Sequence, residues 1–153
     1  MGQCSAKANQ ILPFLWLGDC DYADNYELLL KHNVSAVIDL AGESYTRYPQ
    51  KITYYKIKIH DKPSENIKRF FYQTNRIIDH HRKKGGCIYV HCLMGVSRSS
   101  TLVIAYLMAR YNITRDEAFR YVKSKRPCIK PNKGFWLQLK QYELFLRRRR
   151  CLK

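Results

Sequence analysis

Four residues with chemistry of their own stand close together in His91-Cys92-Leu93-Met94-Gly95-Val96-Ser97-Arg98-Ser99: Cys92, Gly95, Arg98 and Ser99. A cysteine attacks as its thiolate. Free thiols titrate at about 8.5, and a helix N-terminus with a neighbouring cation lowers that to roughly 3.5–7.5. Arg98 follows Cys92 by six positions and offers a planar fork that holds two oxygens of an oxyanion at once. A thiolate beneath a bound phosphate is placed for in-line attack on phosphorus, which gives a cysteinyl-phosphate. The hydroxyl of Ser99 can donate to the sulfur when Cys92 leaves again. A lone cysteine is most often a small buried hydrophobe, but packing alone does not explain this grouping.

The elements that must position these residues are legible around them. Ile88 and Val90 mark a short buried strand, residues 101–111 read as a helix, and residues 92–98 form the turn between them. A turn from a strand into a helix N-terminus aims consecutive backbone N–H groups into one concavity, where the helix dipole adds positive charge. Leu93, Met94, Gly95, Val96, Ser97 and Arg98 are therefore the expected phosphate cradle. Gly95 allows backbone angles that a side chain would forbid, or a close approach of the chain to its ligand. His91, beside the nucleophile, is expected to orient the loop by hydrogen bonding, since a base is redundant where the cradle already holds a thiolate.

Cleaving a phosphate ester also requires an acid for the departing oxygen and a base to activate water afterwards. Asp61 is the candidate for both roles. It lies in a proline-containing loop, His60-Asp61-Lys62-Pro63-Ser64-Glu65-Asn66, that has no apolar anchor. Glu65 is the competing carboxylate, and Asp79 lies further on, within a helical pattern.

The stretch 91–99 resembles the signature loop of the cysteine-based protein tyrosine phosphatases. Ser97-Arg98-Ser99, taken with Thr101-Leu102-Val103-Ile104-Ala105-Tyr106-Leu107-Met108, is similar to the dual-specificity branch. Two weaker stretches extend the likeness over nearly the whole chain: Gln10-Ile11-Leu12-Pro13 through Leu17-Gly18, and Pro131-Asn132-Lys133-Gly134-Phe135 with Gln138-Leu139. The resemblance implies a small dual-specificity protein phosphatase that uses no cofactor or metal. It also implies that Asp61, 31 positions before Cys92, stands at the family's spacing for the general acid.

At 153 residues and 46% hydrophobic content the chain has the material for one domain, 1–153, with a real core. Its 28 Lys and Arg against 12 Asp and Glu give a net charge of +16, which suits anionic partners. Phosphorylated proteins come first among these and acidic membrane surfaces second. An RNA 5′-phosphate or a phosphoinositide is an alternative substrate, and capture of phosphate without turnover is an alternative role. No stacking motif of recognisable form supports nucleic acid. The six cysteines match no zinc spacing and follow no secretory signal, so free thiols in a cytoplasmic setting are expected. Gly2 is the candidate for myristoylation, although Ala6 stands where that pattern wants Ser or Thr; Cys4 is the candidate for palmitoylation. Charge does not choose among these partners, and nothing in the chain sets its oligomeric state. Cys87 and Cys128 could trap an oxidised Cys92, but as small core residues they fit better.

The remaining pattern predicts strands over 11–17, 34–40 and 52–59, and helices over 21–32, 66–84, 115–125 and 135–150. Tyr45 and Tyr48 lie in a polar loop that could flank a substrate. Residues 114–117 form a capping box, and Gly85-Gly86 a helix stop. Alternating strands and helices imply an α/β fold: a central, mainly parallel sheet with helices on both faces and the active loop at a strand's carboxyl end. The arginine run 147–150 reads as a solvated helix end that complements the dipole.

Overall fold

The computed structural model describes residues 4–42 and 48–152. Five strands form one sheet in the order β1-β2-β5-β3-β4: β1 Ala8–Leu12, β2 Leu15–Gly18, β3 Val34–Asp39, β4 Thr53–Lys56 and β5 Cys87–His91. Every pairing is parallel except the β1–β2 hairpin at one edge. The expected single strand over 11–17 is thus two strands, because Pro13 and Phe14 fall at a turn between apolar runs.

The alternation of side chains along each strand builds two apolar layers. Ala36, Ile38, Ile88 and Val90 face the larger core, covered by α3 Phe71–Lys83, α4 Arg98–Tyr111, α5 Arg115–Lys125 and α6 Lys133–Cys151. Val37 and Tyr89 face the smaller one, covered by α1 Cys20–Ala23 and α2 Tyr26–Lys31. The expected fold class is what the structure has.

Local chemistry explains where the boundaries differ. The expected helix over 21–32 breaks into α1 and α2 because Asn25 caps a new helix, its side-chain oxygen accepting from Leu28 N, 3.2 Å. On α2 Leu29 is buried and Leu30 beside it exposed. The segment 66–84 begins with a 3-10 turn, Lys68–Phe70, before α3. Only Thr53–Lys56 of the expected strand 52–59 pairs, although Ile57 and Ile59 are buried and Lys56 and Lys58 exposed, as the alternation requires. The capping box opens α5 as expected. In α6, Leu146 packs on the core while Phe145 lies outside it. Of the terminal arginines, Arg147 pairs with Glu143 at 3.6 Å and Arg150 donates to Met108 O, so that run is partly spent within the fold.

Tyr48 packs on Tyr26, and its hydroxyl donates to Asp24 O at 3.0 Å; Tyr45 and Gly2 lie outside the described residues. Cys4 and Cys128 are joined as a disulfide with their Cα atoms 5.1 Å apart. This corrects two expectations. Cys4 is not a free acyl acceptor, and Cys128 is neither a core thiol nor a partner for Cys92. Two cysteines 124 positions apart carry no local signal that they meet. Among the described residues no helix is long and apolar enough to cross a membrane.

Candidate active site

Strand β5 is the middle strand of the sheet and is buried along its whole length, so its carboxyl end delivers His91 and Cys92 to a fixed place. The chain then turns through residues 93–97 and enters α4 with Ser97 as its N-cap and Arg98 as its first residue. Within that turn the sulfur of Cys92, a residue 3% exposed, accepts from Gly95 N at 3.2 Å and shares a hydrogen bond with Ser99 Oγ at 3.1 Å. Gly95 N is thus a fixed donor to the sulfur, and the Ser99 hydroxyl beside it can donate or accept.

Gly95 has φ +66°, in the left-handed region that suits glycine. A Cβ there would also lie 2.5 Å from Gly18 C and O and 2.8 Å from Arg126 Nη2. The active turn is thus squeezed between the end of β2 and a buried arginine. Leu93 O accepts from Cys20 N at 3.2 Å, which pins the turn from the β2 side as well.

Arg98 donates through Nη1 to Leu40 O, 2.9 Å, and Ile59 O, 3.1 Å, at the ends of the chain segments leaving β3 and β4. Among the described residues its buried Nε has no partner. A buried guanidinium donor left open beside a nucleophile is a place for an acceptor oxygen. His91 is buried, its Nδ1 donates to Cys92 O at 3.1 Å, its Nε2 lies 3.5 Å from Asp39 Oδ1, and its ring stacks on Tyr89. Burial lowers its pKa below the usual 6.5, with the Asp39 carboxylate pulling the other way. These contacts suit the orienting role expected for it.

The three candidate carboxylates part company here. Asp79 is engaged by Arg82, 3.2 Å, and by the Tyr106 hydroxyl, 2.8 Å, on α3. Glu65 folds back to accept from His60 N at 3.3 Å. Asp61 is exposed, and its Oδ1 accepts from Asn132 Nδ2 at 2.9 Å, while Asn132 N donates to Ser97 Oγ at 3.0 Å. Asp61 alone of the three is tied through one residue to the active turn.

Two residues at the site carried no functional reading in the sequence. Arg126, 1% exposed, donates from Nε to Gly95 O, from Nη2 to Met94 O and from Nη1 to Ala6 O and Asn9 Oδ1, at 2.8–3.1 Å. It thus holds the carbonyls of Met94 and Gly95, while Gly95 N donates to the Cys92 sulfur. It stands in a basic segment, Lys123 to Lys130, that reads as solvated surface, and nothing local marks it as buried. Asn132 enters the sequence reading only through the resemblance at 131–135, although an Asn just before an apolar-periodic run is a helix-cap signal. Cys87, the other thiol near this strand, is buried, and burial pushes it up to about 11, which makes it inert as a trap for Cys92.

Residues 15–145 match the family described as dual specificity phosphatase, catalytic domain. A probable rhodanese domain-containing dual specificity protein phosphatase of Dictyostelium discoideum is 40% identical over 136 residues, 89% of this chain. The chain spans only 29% of that relative's length, and 21% of a mouse protein phosphatase Slingshot homolog 3 that is 37% identical. Among solved structures, the human tyrosine phosphatase-like serine/threonine/tyrosine-interacting protein superposes with a TM-score of 0.86 at 37% identity, covering 90% of this chain and 96% of its own. A mouse putative dual specificity phosphatase complexed with zinc tungstate gives 0.90 at 28% identity, covering 98% and 96%. The chain belongs to the family of dual specificity phosphatase catalytic domains.

Proposed function

We propose that this protein is a phosphatase acting on phosphotyrosine and phosphoserine or phosphothreonine in proteins, by way of a cysteinyl-phosphate. The observation that carries the reading is the Cys92 sulfur, buried at the floor of a strand-to-helix turn and met by Gly95 N and Ser99 Oγ. In the first step the sulfur attacks phosphorus, the S–P bond forms and the P–O bond to the substrate breaks. Asp61 gives its proton to the departing oxygen. The amides of residues 93–98 and the open N–H groups of Arg98 stabilise the equatorial oxygens as charge builds on them. In the second step Asp61, now ionised, takes a proton from water as that water attacks phosphorus. The S–P bond breaks toward sulfur, and Ser99 donates to the leaving thiolate. The tungstate of the mouse relative is a tetrahedral oxyanion of the same shape class as phosphate.

Phosphorylated proteins are the proposed partners, in keeping with the family. The net charge of +16 draws anionic chains toward the site. A second reading, capture of phosphorylated partners without turnover, draws on the human relative described as a phosphatase-like interacting protein. Phosphate release from a phosphotyrosine peptide and a doubly phosphorylated Thr/Tyr peptide separates the two. Turnover by the wild type, lost in Cys92→Ser, supports the phosphatase. Tight binding of both peptides with no release of phosphate supports capture.

A further inference from the structure

The loop between α5 and α6 runs alongside the active turn and holds it residue by residue. Arg126 takes the carbonyls of Met94 and Gly95, Lys130 N donates to Val96 O at 2.8 Å, and Asn132 N donates to Ser97 Oγ at 3.0 Å. Asn132 does more than end this series. Its Oδ1 accepts from Phe135 N at 2.9 Å as the N-cap of α6, and its Nδ2 donates to Asp61 Oδ1 at 2.9 Å. The cap fixes which way the amide points, because a flipped amide would set its NH2 against the Phe135 N–H. The group presented to Asp61 is therefore a donor.

A donor on Oδ1 has a chemical consequence for a carboxyl that must deliver a proton. In a protonated carboxyl the carbonyl oxygen is the better acceptor, so a donor held on Oδ1 favours the proton on Oδ2. The loop carrying Asp61 is anchored to the same helix start at two further places. Pro63 lies so close to Gly134 that a Cβ there would overlap its carbonyl oxygen, and Gln138 Nε2 donates to Glu65 O at 2.8 Å. We infer that Asn132 is the positioning residue of the general acid. It ties the Asp61 carboxyl to the active turn through Ser97 and leaves Oδ2 as the oxygen that carries and delivers the proton. This inference rests on the phosphatase reading above, in which Asp61 is the acid.

The test uses two aryl phosphates, 4-nitrophenyl phosphate, whose leaving group departs without a proton, and phenyl phosphate, whose leaving group needs one. Wild type, Asn132→Ser, Asn132→Asp, Asp61→Asn and the double variant Asp61→Asn/Asn132→Ser are compared. Serine and aspartate both keep the helix cap, so α6 persists; serine withdraws the donor and aspartate replaces it with a repelling carboxylate. The inference predicts a roughly 10- to 100-fold loss of kcat on phenyl phosphate for Asn132→Ser, within the roughly 10²–10⁴ that acid catalysis supplies. The loss is larger for Asn132→Asp, and under twofold for Asn132→Ser on the nitrophenyl ester. The double variant is no slower on phenyl phosphate than Asp61→Asn alone, since a positioning residue has nothing left to position. Equal losses on both esters, or losses that add in the double variant, would assign Asn132 a purely structural role and overturn the inference. Unchanged rates on both esters would do the same. A wild type that hydrolyses neither ester nor phosphopeptide would overturn the phosphatase reading itself, an outcome distinct from either.

Discussion

The hydroxyl of Ser99 lies 3.1 Å from the sulfur of Cys92, both atoms buried at the N-terminus of α4. A hydroxyl so placed donates to a thiolate and has no comparable use once the sulfur is bonded to phosphorus. Its contribution is thus concentrated where the thiolate departs. A hydrogen bond to a charged group is worth about 1.5–3 kcal/mol. Ser99→Ala should slow breakdown of the cysteinyl-phosphate roughly 10- to 100-fold, with the first step nearly unchanged. Pre-steady-state kinetics should show this as a burst of product followed by a slow phase; equal slowing of both phases would contradict it.

Arg126 is the brace of the active turn. Four oxygens depend on its guanidinium, and each buried acceptor left unmet costs about 1–3 kcal/mol. Arg126→Met should therefore lower the melting temperature by roughly 10 °C or more and reduce activity more than tenfold on both esters alike. Lysine, a point charge without the fork, should recover only part of either loss.

How much of this was legible in the sequence depends on how local each signal was. The active turn was readable because its strand, glycine, arginine and serine are neighbours in the chain, and the backbone of a strand-to-helix turn fixes their relation. The capping box at Thr114 was readable for the same reason. Arg126 was not, because its partners Ala6 and Asn9 lie 117–120 positions away and its charged neighbours disguise it as surface. The Cys4–Cys128 pairing was hidden likewise. Pro13 inside an apolar run carried the signal of a hairpin, but the run's continuity outweighed it. Among the carboxylates, the family spacing pointed to Asp61 with Glu65 and Asp79 as competitors; the contacts that engage Asp79 and Glu65 elsewhere are tertiary and show only in three dimensions.

Gly95 is held at φ +66° with no room for a side chain. Gly95→Ala must either force the turn into another shape or displace Gly18 and Arg126. Phosphate affinity should weaken at least tenfold, read as the inhibition constant of inorganic phosphate. An alanine variant that binds phosphate as the wild type does would show that the turn is not built as described.

Burial lowers the pKa of His91 below its unfolded value of about 6.5. A base whose folded pKa is depressed takes up its proton more readily unfolded. Its contribution to stability is therefore whole above pH 6.5 and is lost as pH falls from there toward the lowered value. The wild type should lose more melting temperature between pH 7.5 and 5.5 than His91→Asn does. Equal losses in the two proteins would remove His91 from the acid sensitivity of the fold.

The central claim is a covalent bond between Cys92 and phosphorus, and the most direct measurement is to find it. Ser99→Ala, mixed with a phosphotyrosine peptide and quenched in acid during the slow phase, should yield a Cys92-containing peptide carrying phosphate by mass spectrometry. Ser99→Ala/Cys92→Ser treated identically should carry none. Phosphate on no residue of a variant that is still releasing product, or on a residue other than Cys92, would contradict the account.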